Sequence, residues 1–309
     1  MITCAGARDV GYDALDLHRL ALAKVLVRVR RDAYVLATSY HQASPDERHL
    51  LVCRAVLATR GPREALSHHS GVAAHGIATY RMDRSVVDID SPSVTATRLR
   101  TRVRTHPATV AAEVADGLRV VPLALALAQV AGSRGVMAGL CSMDNALFQD
   151  KCSLDELAAA IGLLPCRYVS NARRAYALVD PEAESVGETR TRILLRDLGY
   201  EVESQVEVRR GVRFLGRVDL LADEIVAVEF DGLVKYEGID GPKALVAEKV
   251  RESGLNDGGL EVVRVTWPDL DQPAQLGKRM AHAKRRAEGR TRASDLMTQK
   301  MSTRPAIGV

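Results

Sequence analysis

The stretch "GRVDLLADEIVAVEFDGLVKY", residues 216–236, decides how the C-terminal half of the chain folds. Apolar residues flank the triplet "ADE" (222–224), so the stretch reads as two strands joined by a tight turn, an antiparallel pair centred near Asp223. That register sets Asp219 opposite Ala227 and Arg217 opposite Glu229. Residues two apart share a face of a strand, so Asp219, Glu229 and Asp231 project from one side. Val218, Val226, Val228 and Phe230 take the other, core-facing side.

Carboxylates on otherwise apolar strands cost free energy unless something compensates them. Salt bridges to Arg213, Arg217 or Lys235 are one compensation. They serve one carboxylate more easily than two facing the same way, and a shared divalent cation serves both. Hard oxygen ligands select Mg²⁺ or Mn²⁺ over zinc. Lys235, in the loop that follows, would orient a water or stabilise developing negative charge. A metal-bound water attacking a phosphodiester is the reaction such a constellation supports. Glu188 extends the cluster from the preceding helix. Its alternative is local: Ser185-x-x-Glu188 is a capping box, and Arg192 four residues on offers an ion pair.

Working outward, the pattern gives a helix over 185–198, strands over 203–209, 214–221 and 224–230, a helix over 242–255, a strand over 261–266 and a C-terminal helix. Helix, three-stranded meander, helix and strand make an α/β sandwich. The tail from 294 to 309 has no strong pattern and is expected to fray. Before this unit, Pro181 and its acidic neighbours in "VDPEAES" read as a short linker.

The first 45 residues read as two helices and a basic two-stranded hairpin, "VLVRVRRDAYVLA" (25–37). That is the plan of a winged helix-turn-helix, with Arg28, Arg30 and Arg31 placed for DNA phosphates; a small helical cap with a basic hairpin is the alternative. An amphipathic helix over 46–60 follows, and then "LSHHSGVAAHGI" (66–77). His68, His69 and His75 invite a metal reading. Adjacent His68 and His69 diverge by about 100° on a helix, however, so a helix capped by Ser67 or Ser70, with His75 packed on its face, is the better account. "SVVDIDSP" (85–92) reads as a strand, "TATRLRTRVRTH" (95–106) as a basic strand pair or helix edge, and 117–161 as three helices packed on one another, the last with a Ser153/Glu156 capping box.

At 309 residues the chain suits two domains. No apolar run approaches the roughly 18 residues needed to cross a bilayer, and the N-terminus lacks a signal-peptide pattern, so no membrane contact is expected. Five cysteines without a CxxC pair read as reduced thiols of a cytoplasmic protein. The net charge of +4 is concentrated in "RVRRDAY" (28–34), "RLRTRVRTH" (98–106) and "KRMAHAKRRAEGRTR" (278–292), the local basic patches that nucleic-acid binding uses.

Two resemblances sharpen these readings. "ESVGETRTRILLRDLGYEVESQVEV" (184–208), "RVDLL" (217–221), "IVAVEFDGLVKY" (225–236) and "EKVRESGLNDGGLEVVRVTWPDL" (248–270) resemble the endonuclease-like domain related to very-short-patch-repair (Vsr) endonucleases, within the PD-(D/E)xK nuclease superfamily. The resemblance implies a restriction-endonuclease-like fold over 184–290, with Asp219 as the metal-binding aspartate, Glu229 as the acid of the second motif and Glu188 as the helix acid. The lysine of the strict motif falls at 231, where this chain has Asp231, and Asp231 with Lys235 is expected to substitute. Lys249 and Arg251 would line the DNA side; an i, i+3 ion-pair face is their alternative.

"LVRVRRDAYVLA", "ALSHHSGVAAHGI" and "GLRVVPLALALAQVA" are similar to the AbiEi-type antitoxin module of type IV toxin–antitoxin systems. This implies a winged helix over 1–45, an α/β segment over 46–178 and, as partner, a cognate nucleotidyltransferase-type toxin. The expected function is Mg²⁺- or Mn²⁺-dependent DNA hydrolysis in phage defence or a toxin–antitoxin setting. The alternative is a catalytically inactive antitoxin or transcriptional regulator that binds DNA and neutralises the toxin.

Overall fold

Two compact units divide the chain, Met1–Leu178 and Val179–Val309. The structure is a computed structural model that describes residues 1–232, 241–290 and 296–300, with the backbone alone for 241–248. It is mixed α/β throughout, with three sheets.

The first unit opens with β1 (Ile2–Thr3), α1 (Cys4–Arg8), α2 (Ala14–Leu22), β2 (Leu26–Arg30) and β3 (Ala33–Leu36). Asp13 and Asp16 cap α2 reciprocally, which fixes where that helix begins. β1, β3 and β2 form an antiparallel sheet in that order, and Cys4, Ala7, Leu17, Leu26 and Tyr34 fill the small core beneath the helices. α3 (Ala37–Gln42) and α4 (Pro45–Leu57) follow; Pro45 and the Ser44/Glu47 capping box start α4.

A six-stranded mixed sheet comes next, built from β4 (Ala65–Leu66), β5 (Val87–Ser91), β6 (Arg98–Arg100), β7 (Val103–Pro107), β8 (Glu113–Ala115) and β9 (Leu118–Val120), in the order β6-β7-β5-β4-β9-β8, with α5 (His68–Ala74) inserted after β4. The basic stretch at 95–106 is thus a strand pair, β6 against β7.

α6 (Leu123–Arg134), α7 (Val136–Phe148), α8 (Leu154–Gly162) and α9 (Cys166–Tyr176) close the unit. The three-helix expectation for 117–161 needs correcting. Residues before Pro122 are extended and pair with β4 and β8 as β9, because proline disfavours helix in the residue before it. A fourth helix, α9, lies against α6 at Gly132, where an added Cβ would sit 2.6 Å from that of Tyr168.

The second unit runs α10 (Val186–Asp197), β10 (Val202–Arg210), β11 (Arg213–Ala222), β12 (Val226–Asp231), α11 (Gly241–Asp257), β13 (Glu261–Thr266), a 3₁₀ turn (Asp269–Asp271), α12 (Pro273–Glu288) and β14 (Leu296–Lys300). The sheet order is β13-β12-β11-β10-β14, with β12 and β13 parallel and the other pairs antiparallel. α10 and α12 cover one face: Leu195, Leu276 and Met280 pack on Leu220, Val226, Val228 and Val265. Leu255 of α11 joins the core on the other, with Val206, Val208, Val218, Leu221 and Ala227.

Three expectations change here. The segment after 294, expected to fray, contributes β14: Leu296 is buried, and the strand pairs with the otherwise open edge of β10. The β11–β12 turn has three residues rather than a single centre, because Asp223 and Glu224 both adopt positive φ (+47° and +61°). Leu221 therefore faces Ala227 and Leu220 faces Val228, so the register is two residues from the expected one and Asp219 runs on toward Glu229. A shift of two leaves the faces unchanged. Val218 nevertheless does not share a face with Val226 and Val228. The faces exchange at the step between the Ser204–Leu220 and Val206–Val218 pairs, where Gln205 has φ +52°.

Candidate functional site

That exchange point is where the carboxylates gather. Glu188 enters from the first turn of α10. Ser185 caps the helix through a 3.1 Å bond from Glu188 N to its Oγ. The Glu188 carboxylate itself accepts from Glu184 N (3.1 Å) and from Gln205 Nε2 (2.9 Å). Arg192, fully buried, reaches Asp180 at 3.5 Å. Gly187 next door is required by packing, since a Cβ there would lie 2.0 Å from the Phe230 ring. This close approach seats α10 against β12 and holds Glu188 beside Asp219.

Burial, and then the charge of Asp219, push the Glu188 carboxyl up to about 7. Burial also raises Asp219, opposed by a 2.9 Å hydrogen bond from Phe230 N and reinforced by the nearby Glu184 carboxylate. Beside them Gln205, 2% exposed, leaves its Oε1 without a hydrogen-bond donor. Glu188 is thus bonded to Gln205 and feels the charge of Asp219, and all three offer oxygen, the donor type that hard divalent cations take.

Glu229, half-buried on β12, is ion-paired with Arg251 of α11. The Arg251 guanidinium also reaches the Arg217 carbonyl at 3.4 Å, passing over Gly216, where a Cβ would stand 3.0 Å from its Cδ. Arg251 is thus directed into the carboxylate cluster. Arg217 pairs with Glu184 at 2.7 Å. Asp231 ends β12, half-buried and in register with Thr266. Lys249 is exposed on α11, and Lys235 lies outside the described residues. Among the described residues no group of three or more His, Cys, Asp or Glu side chains has the geometry of a metal site.

The basic clusters separate by what holds them. On α12 and just past its end, Arg279 pairs with Asp269, Lys284 with Asp223 (2.7 Å), and Arg286 and Arg290 with Glu261 (3.3 and 2.8 Å), so much of that patch secures the second unit. In the first unit Arg28 is exposed on β2, and Arg31 is exposed beside Asp32. Arg30 is half-buried, and its pKa is lowered by that burial and by Arg60.

The histidines of 66–77 form a buried polar cluster. Asp88 accepts from His106 Nε2 (2.9 Å), Arg104 (3.1 Å) and Arg134 (3.1 Å). His68 stacks on His106 with ring centroids 3.8 Å apart. Ser67 stands at the N-cap of α5, yet its hydroxyl bonds His68 Nδ1 rather than the helix backbone, and Ser70 Oγ accepts from Asp88 N. His75 is the C-cap residue and donates to the Val121 carbonyl. Desolvation drives His68 well below the usual imidazole range and His69 to about 4, so both are neutral at pH 7.

No family model matches the chain, and no curated protein matches it either. Among the described residues no helix is long and apolar enough to cross a membrane. Sequence reading missed Gln205, which no motif distinguishes.

Proposed function

We propose that the second unit is a restriction-endonuclease-like domain that hydrolyses DNA phosphodiesters with Mg²⁺ or Mn²⁺. The observation that carries the reading is the buried Glu188 carboxyl, raised by burial and by the charge of half-buried Asp219, beside an unsatisfied Gln205 oxygen. Placing two anions together away from water is unfavourable unless a cation joins them. Glu188, Asp219 and Gln205 would hold it, and Glu229 would join them only by exchanging its ion pair with Arg251. The cation would polarise the phosphoryl oxygen and lower the pKa of a water.

The chain's own residues do the rest. Asp219 is oriented by Phe230 N, so its second oxygen is free to face a cation. Arg251 puts a permanent positive charge at Glu229, two residues from Asp231, where a lysine would stand in the strict motif, and can stabilise charge developing on the phosphoryl oxygens. Without a cation the Glu188 carboxyl is raised to about 7, so holding a cation near neutral pH would displace its proton. The first unit, two helices over an antiparallel hairpin carrying Arg28 and Arg31, supports a winged-helix DNA-binding role, and phage defence or a toxin–antitoxin pair is the setting we favour.

Purified protein incubated with supercoiled and linear DNA in Mg²⁺ or Mn²⁺ should cut, while Asp219→Ala and Glu229→Ala should not. Cleavage equal to that of the variants, with DNA binding intact, sinks the nuclease reading. A second reading rests on Arg251: a guanidinium already neutralising Glu229 is also what a silent, DNA-binding antitoxin or regulator would retain. Under that reading a nucleotidyltransferase-type toxin is the partner, and copurification with the neighbouring gene product tests it.

A further inference from the structure

The arginines of β6 and β7 differ in what holds them. Arg104 of β7 is tied to the buried Asp88 carboxylate at 3.1 Å. Arg98, Arg100 and Arg102 are exposed, and among the described residues none of the three side chains makes an ion pair or a hydrogen bond. β6 is the free edge of its sheet, and every one of its residues is exposed. Arg98 lies opposite Thr105 and Arg100 opposite Val103, so both arginines stand at the rim of the face that Val103 turns to the core. Thr101 and Arg102 then make a two-residue turn into β7, with φ of +50° and +61°. Such turns favour Asn-Gly or Asp-Gly, and a β-branched residue at positive φ is strained. The chain nevertheless keeps Thr101 there and sets a third arginine at the tip.

We propose that the β6–β7 hairpin is a phosphate-contacting element for duplex DNA, with Arg98, Arg100 and Arg102 on the sugar-phosphate backbone and no reading of sequence. This rests on the reading that the first unit binds DNA, and it adds to Arg28 and Arg31 a surface on a different sheet. Three arginines with no acidic partner are the charge that a polyanion complements. An acidic peptide added to the edge as a further strand is the competing occupant, and the ladder argues against it. Bonded and non-bonded pairs alternate along an antiparallel pair, and the pair closing a two-residue turn is bonded. Arg100 and Arg98 therefore direct their N–H and C=O groups toward β7, and only Leu99 directs its own outward. One residue is too little for strand addition, so side-chain charge is what this edge offers. A short charged edge also discourages pairing between copies, but that needs no arginine at a strained turn.

The full chain is titrated in EDTA with a labelled duplex, followed by fluorescence anisotropy over a salt series, so that binding is read apart from cleavage. Replacing Arg98, Arg100 and Arg102 together by Gln is expected to reduce the slope of log K against log salt by about 2.5 and to weaken binding about tenfold or more. Replacing all three by Lys should keep most of the slope, because charge carries a backbone contact. The loss should be the same on duplexes of unrelated sequence. Thr101→Asn with Arg102→Gly should raise the urea midpoint by relieving the turn, and yet lower the slope by about 1.

Binding by the parent with the slope unchanged in the Gln variant overturns the proposal and leaves the DNA-binding reading of the first unit standing. No binding by the parent overturns both. A loss confined to one sequence replaces backbone contact with base reading. Displacement by polyglutamate as effective, charge for charge, as displacement by unlabelled duplex replaces DNA with an acidic protein partner. Urea curves matching the parent's confirm that the Gln and Lys variants are folded.

Discussion

Replacing Glu188 by Gln should change how the stability of the second unit depends on pH. The Glu188 carboxyl titrates near 7 in the folded chain, against an ordinary 4.5. Below about pH 4.5 it is protonated in both states and costs nothing. As pH rises, the unfolded chain gives up the proton first while the folded chain still holds it, so stability falls until pH passes about 7. At about 1.4 kcal/mol per pKa step, the loss between about pH 5 and pH 8 is roughly 2.5 kcal/mol.

Gln keeps the size of Glu188 and an oxygen for Glu184 N, but it cannot ionise, so Glu188→Gln removes that loss. Trp267 is the chain's one tryptophan and packs edge-on to Phe230 at 4.9 Å, so urea unfolding followed by its fluorescence reports this unit rather than the other. The wild type should lose about 2.5 kcal/mol relative to the variant between those pH values. Saturating Mg²⁺ should restore most of it, because the cation neutralises the pair. Parallel pH curves for the two proteins, within about 0.5 kcal/mol, would refute a buried, Asp219-coupled Glu188.

Gly187→Ala should destabilise the same unit by about 1–3 kcal/mol, because the new methyl meets the Phe230 ring; Trp267 fluorescence reads it, and a neutral result contradicts the close packing of α10 on β12. In the first unit, Asp88→Asn removes the negative charge that His106, Arg104 and Arg134 share. It should cost roughly 3 kcal/mol in urea unfolding followed by far-ultraviolet circular dichroism. A loss below about 0.5 kcal/mol would show that the cluster is incidental to stability. Arg251→Ala should lower DNA cleavage about 10²-fold while leaving Mn²⁺ binding in place; loss of both together would make Arg251 a support for the fold rather than for the reaction.

Much of the second unit is legible in its sequence, because short strands with period-two alternation and a capped helix announce themselves. What is hidden is set by partners far away in the chain. The two-residue register difference arises from Asp223 and Glu224 in left-handed conformations, which neither residue type advertises; Asp223 is held there by Glu201 N and Lys284. β14 has no pattern of its own and exists because β10 offers an edge. Arginines of α12 look like a nucleic-acid patch until Asp269 and Glu261 are seen opposite them. Asp219 and Glu188 could be nominated from strand parity and helix position. Gln205 could not, since its role comes from one positive φ that turns the strand over.

Mn²⁺ binding followed by electron paramagnetic resonance tests the shared-cation claim most directly. At about pH 8, where Glu188 is ionised, the wild type should bind one Mn²⁺ per chain, with affinity falling as pH drops below about 7. Asp219→Asn should abolish that site. Binding that is the same in the variant, or absent from the wild type, would contradict the account.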